Sequence, residues 1–172
     1  MNMRVPMTPT GLVKLRTELK HIREVDRPEN VKDIEEARAH GDLSENAEYH
    51  AAKERQAFLD ARMKELESNI SMAEVIDPNT LKGARVVFGG TVTLSDTTTD
   101  EEITYTIVGD DEADVKAGMI SISSPLARAM IGRFLDDTIA LETTRGKREY
   151  EIIDLRFGNQ KPPEDVPPED DE

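Results

Sequence analysis

The chain has 172 residues, with 22 basic and 36 acidic side chains, a formal net charge of −14 at pH 7, no cysteine and only 4% aromatic residues. That charge argues against non-specific attachment to nucleic acid, and the missing thiols exclude disulfides and thiolate metal sites. Sparse aromatics at this length argue against one large core and favour long helices with a small second core.

The chain opens Met1-Asn2-Met3-Arg4-Val5-Pro6-Met7, without the apolar stretch of a signal peptide. No apolar run approaches the ~18 residues that a membrane-spanning helix needs. A soluble, cytoplasmic protein that makes no membrane contact is expected. Charge is uneven along the chain. Residues 1–77 hold 12 basic and 16 acidic side chains, whereas residues 78–172 hold 10 and 20. The first part is nearly balanced and can touch a polyanion locally.

The first helix opens at Thr8-Pro9, a good cap followed by a residue suited to the first helical position. Leu12, Leu15, Leu19 and Ile22 follow in one apolar stripe. Pro28 interrupts, and the stripe resumes with Val31, Ile34 and Ala37. The spacing predicts a helix over residues 9–39 with a disturbance near Pro28. In the next segment Tyr49, Ala52, Gln56, Leu59, Met63, Leu66, Ile70 and Ala73 alternate by three and four, a heptad-type seam. With Gly41 between the stripes, an antiparallel helical hairpin is the simplest fold. At ~1.5 Å per residue its arm is roughly 45 Å long.

Asp77-Pro78-Asn79 marks a boundary, so residues 1–77 are expected to form one domain. Beyond it, Arg85–Leu94, Ile103–Val108, Thr138–Thr143 and Arg148–Leu155 are β-branched and partly alternating, and read as strands. Residues 126–131 read as a short helix capped by Ser124. The fold class is therefore α+β, a coiled-coil hairpin followed by a small domain over 78–158. Residues 159–172 are rich in proline and acid, and are expected to be a disordered tail.

His40-Gly41-Asp42-Leu43-Ser44-Glu45-Asn46 occupies the predicted hairpin turn. Asp42-x-x-Glu45 has two readings. It is a capping-box pattern that would satisfy free N–H groups at the start of the second helix. It is also a pair of hard oxygen ligands suited to Mg²⁺, too few to hold the ion unless another active site supplies the rest. Both hold if a carboxylate caps in the free protein and binds metal when docked. Arg38, Lys53 and Arg55 near the turn are either solvated arm charges or a local basic patch. Tyr49 is either a seam residue under the tip or a stacking surface. His21, His40 and His50 are too scattered for a zinc site.

The stretch Glu36–Glu54 resembles the signature of the bacterial Gre transcript-cleavage factors, its GreA-like members in particular. Val75-Ile76-Asp77, Gly109–Asp114 and Ser124–Gly132 resemble further segments of that family in the expected order, and the likeness extends to about residue 157. The resemblance implies an N-terminal antiparallel coiled coil and a C-terminal domain of FKBP-like fold. It implies a factor that is not itself an enzyme, binds bacterial RNA polymerase as a monomer and inserts its arm through the secondary channel. There Asp42 and Glu45 would help to hold a second, weakly bound Mg²⁺ jointly with the polymerase and orient water for cleavage of the backtracked RNA 3′ end. Arg38 and Lys53, with Arg55 and Tyr49 nearby, would face RNA or polymerase. Ser124 and Pro125 are candidates for docking on the channel rim.

Three alternatives compete. Some Gre homologues enter the same channel and inhibit, but the tip here keeps Asp42 and Glu45 behind Gly41, which favours stimulation. A prolyl isomerase of FKBP type would need an aromatic pocket, and residues 78–172 offer only Phe88, Phe134, Phe157, Tyr105 and Tyr150, some needed for the core. An intermolecular coiled coil is disfavoured by the Gly41 turn and the roughly matched arms.

Overall fold

The alternating spacing of apolar side chains becomes a helical hairpin in a computed structural model, which describes residues 3–42 and 45–158. The tail beyond residue 158 and Ser44 at the turn lie outside the described residues. Two units are distinguished, one comprising Met1–Val5 and Thr10–Glu74, the other Pro6–Pro9 and Val75–Glu172.

In the first unit, α1 (Pro9–His21) runs through a π-helical stretch, Ile22–Asp26, into α2 (Arg27–Ala39), and α3 (Ala47–Ser71) returns along it. Pro28 has no N–H to give to the carbonyl four residues back. The backbone responds by widening instead of breaking: the Arg27 N–H donates to the Ile22 carbonyl, five residues back. This is the disturbance expected at Pro28. It also adds a residue to the helical period, so the buried set beyond it is Asn30, Ile34 and Ala37. Val31, which a regular stripe places inward, is 48% exposed.

Leu15, Leu19, Ile22, Ile34 and Ala37 from the first arm are buried, as are Ala52, Leu59 and Leu66 of α3. Tyr49, Gln56, Met63 and Ile70 are half-buried along the same seam. Asn30 is a fully buried polar member of this seam, and its amide donates to the Ala52 carbonyl at 2.9 Å. Arg62 forks onto Glu18 at 2.7 and 2.9 Å, and this hydrogen bonding holds the Glu18 carboxyl below its ordinary value. β1 (Val5–Met7) and β2 (Ala73–Val75) form a two-stranded sheet. Ala73, read as the last seam position, thus lies past the end of α3.

The second unit is a mixed five-stranded sheet of order β5-β4-β3-β7-β6. Its strands are β3 (Gly90–Asp96), β4 (Glu102–Val108), β5 (Met119–Ser121), β6 (Thr138–Thr143) and β7 (Gly146–Phe157). All neighbours are antiparallel except β4 and β5. Val92 and Leu94 of β3, Ile107, Ile120, Ile139 and Ile152 form one core with Ala127 and Met130 of α4 (Pro125–Met130). The expected strand from Arg85 begins only at Gly90. Gly89 turns with φ +86°, and Arg85 itself makes a single bridge to Phe134. Phe88 and Phe157 are buried, and Phe134 is 51% exposed.

Asp96 closes the β3–β4 turn. Its Oδ1 accepts from the N–H groups of Thr98 and Thr99 at 2.8 and 3.2 Å, and its Oδ2 from Arg148 at 3.2 Å. The Thr98 bond first, then Thr99 and the Arg148 charge, hold the buried carboxyl below its ordinary value. A folded-state pKa below the unfolded one gives stability that is present above about pH 4 and lost as pH falls through the folded value. Asp96→Asn is therefore expected to be less stable than the parent at pH 7. The gap should close on acidification, as read by urea unfolding of the two proteins across pH.

Candidate functional site

The hairpin turn is built by two residues with different tasks. α2 ends at Ala39 with His40 as its C-cap, and the Gly41 N–H donates back to the Arg38 carbonyl at 3.2 Å. Gly41 then takes φ +106°, a conformation that a side chain would strain. At the other side Asn46 is the N-cap of α3: its Oδ1 accepts from the Tyr49 N–H at 3.0 Å. The same side chain donates through Nδ2 to the Ala37 carbonyl at 2.6 Å. One amide thus satisfies a free donor of α3 and gives a second bond to the Ala37 carbonyl, which also accepts from the His40 N–H at 3.3 Å.

This corrects the capping-box reading. The cap is Asn46, four residues past Asp42, so neither Asp42 nor Glu45 caps α3. Asp42 directly follows Gly41 and Glu45 directly precedes Asn46, and both are exposed and outside the helices. Two exposed carboxylates supply hard oxygen ligands of the kind that magnesium takes, short of the octahedral set it needs. Among the described residues no group of three or more His, Cys, Asp or Glu could hold a metal ion. The donor set fits an ion completed by ligands from elsewhere.

The flanking cations divide. Arg38 in the last turn of α2 is exposed. Lys53 is exposed, with its Nζ donating to Gln56 at 2.9 Å. Arg55 instead lies 3.7 Å from Asp26 and 3.9 Å from Asp33 of the first arm, so its charge is compensated within the hairpin. Tyr49 is half-buried and meets the His50 ring edge-on, centroids 5.8 Å apart. His40 lies 4.0 Å from Glu48, and His21 bonds Asp26 at 3.0 Å, so the three histidines face separate partners.

In the second unit, the Ser124 hydroxyl accepts from the Ala127 N–H at 3.3 Å and Pro125 begins α4, as the sequence suggests for a cap. Just ahead of it, Asp110 Oδ1 accepts from the hydroxyls of Ser123, at 2.7 Å, and Ser121. These bonds, led by Ser121, hold the Asp110 carboxyl below its ordinary value and order the loop before α4. Sequence reading missed this cluster because Asp110 lies 11 and 13 residues before the two serines that it joins. It also missed Asn46, although Asn immediately before an unbroken helical stretch is itself a cap signal.

Two family models match the chain: "Transcription elongation factor, N-terminal" over residues 5–75, and "Transcription elongation factor, GreA/GreB, C-term" over residues 81–157. The transcription elongation factor GreA of Xanthomonas axonopodis pv. citri (strain 306) is 56% identical over 156 residues, covering 90% of this chain and 99% of that protein. The GreA of Anaeromyxobacter sp. (strain K) is 52% identical over 160 residues, covering 93% and 96% respectively. The crystal structure of GreA factor homolog 1 of Thermus thermophilus is 28% identical, covers 90% of this chain and 99% of its own, and superposes with a TM-score of 0.41.

Proposed function

The chain belongs to the GreA/GreB family of transcription elongation factors, and on that premise we propose that it stimulates transcript cleavage by lending two carboxylates to RNA polymerase. The hairpin enters the secondary channel of the polymerase as a monomer, in the cytoplasm, and brings Asp42 and Glu45 to the backtracked RNA 3′ end. The polymerase, not this chain, holds the rest of the catalytic centre. Asp42 and Glu45 would supply ligands to a weakly held Mg²⁺ and orient the attacking water. When bound, that ion stabilises the attacking and leaving oxygens of the phosphodiester.

One observation carries this reading: both carboxylates are exposed at the turn while Asn46 does the capping. Their exposure is unexplained by helix stability and suits delivery to another protein's site. Arg38 and Lys53, exposed on the two helices that flank the turn, face the RNA phosphates and offset the local acid. Arg55 belongs with them by position, but its ion pairs assign it first to holding the arm. Tyr49 packs beneath the turn and presents one ring edge to RNA or polymerase. Ser124 and Pro125 lie in the segment that docks the second unit on the channel rim.

The test is direct. Purified polymerase halted in a backtracked complex, with nascent RNA labelled, should release 3′ fragments faster when the protein is added. Slower elongation without fragments would contradict the reading and indicate an inhibitor.

A further inference from the structure

Asn46 joins the ends of two helices with one planar amide, and its orientation is fixed by chemistry. The Tyr49 N–H can only donate and the Ala37 carbonyl can only accept, so Oδ1 must face α3 and Nδ2 must face α2. A cap alone would use only the oxygen. The second bond, at 2.6 Å, spans nine residues and closes the turn across its base. Glu45 is the immediate neighbour of the residue that makes it, and Asp42 lies four positions before that residue, directly after Gly41. The backbone that carries both carboxylates is therefore bounded on one side by Gly41 and on the other by this tie.

We propose that Asn46 is a positioning residue for transcript cleavage: its Nδ2–Ala37 bond sets the placement of Asp42 and Glu45, separately from its capping of α3. The inference rests on the metal-donor reading above. A pair that supplies only part of an ion's ligands depends on geometry more than a complete site does. Its contribution is lost when either oxygen moves out of reach of the shared ion. Displacement by about 1 Å is enough to cost on the order of 100-fold in a catalysed step.

The two roles of Asn46 separate by substitution. Asn46→Ser and Asn46→Asp both retain an oxygen that caps well. Ser is too short to reach Ala37 while capping, and Asp turns a second acceptor toward a carbonyl oxygen. Both should match the parent in helix content, melting temperature and affinity for polymerase. Both should reduce maximal cleavage stimulation by about 10-fold or more and require more Mg²⁺ for half-maximal rate. For Asp the added charge alone would lower that requirement, so a rise is diagnostic.

A second readout needs neither polymerase nor metal. In the free protein the Asn46 side-chain NH₂ should exchange with solvent more slowly than the asparagine amide of a short unstructured peptide. Helical amides of α3 should keep parent-like protection in both variants. Parent-like stimulation and Mg²⁺ dependence in both variants would overturn the proposal, and so would a freely exchanging Asn46 amide. If the parent protein itself fails to stimulate cleavage while its Asn46 amide is protected, the metal-donor reading has failed and the tie has not.

Discussion

Alanine at Asp42 or at Glu45 is expected to cut stimulated transcript cleavage by roughly 100-fold or more, the scale of losing one group aimed at the reacting centre. Polymerase affinity and folding should be unchanged. Both side chains are exposed and outside the helices, so truncation opens no core cavity, and the α3 cap stays with Asn46. Substitutions at such positions usually change stability by less than about 0.5 kcal/mol. On the proposed reading the two carboxylates act as one donor pair, so the double variant should lose little more than either single one. Each variant should also compete with the parent for the polymerase, since binding is retained. Single-turnover cleavage of labelled RNA, with melting curves and a competition titration, separates these effects.

Leu66→Ala is expected to give the largest loss of stability, about 2–5 kcal/mol for the first unit, followed by circular dichroism during urea unfolding. Leu66 is fully buried in the seam. A two-helix arm has few layers from which to refill a vacancy, so the lost transfer energy and the cavity both count. Total stabilities of ordinary domains are only ~5–15 kcal/mol, so the arm would be substantially unfolded under mild denaturant. Stimulation of cleavage should fall with the folded fraction and return when temperature is lowered. That behaviour sets it apart from the Asp42 and Glu45 variants, which should be inactive while folded.

The hairpin was legible because its signal is long. Leu15, Leu19 and Ile22 on one arm and Ala52, Leu59 and Leu66 on the other repeat at helical spacing, and they are buried as that spacing requires. The pattern failed at Val31, where a π-helical turn that no periodicity encodes shifted the register. β4 and β6 were legible in their β-branched residues, whereas β1, β2 and β5 have three residues each, too few to display alternation. At the turn, the sequence marked Asp42 and Glu45 by composition and resemblance, and Gly41 by its conformational freedom. It assigned the cap to the wrong residue because Asp42-x-x-Glu45 and Asn46 are both acceptable starts, and only the path of the chain decides between them. Arg55 illustrates the same limit: its proximity to the tip was visible in the sequence, its compensation by Asp26 and Asp33 was not.

The central claim is that this chain contributes metal ligands to a site it does not own. The rate of RNA cleavage in backtracked complexes, titrated with Mg²⁺ with and without the protein, tests it most directly. The protein should lower the Mg²⁺ concentration for half-maximal cleavage by about 10-fold or more, the scale expected when ligands are added to an incomplete site, and the Asp42→Ala/Glu45→Ala variant should leave it where the polymerase alone puts it. An unchanged Mg²⁺ dependence with the parent protein, or the same shift with the double variant, would contradict the claim.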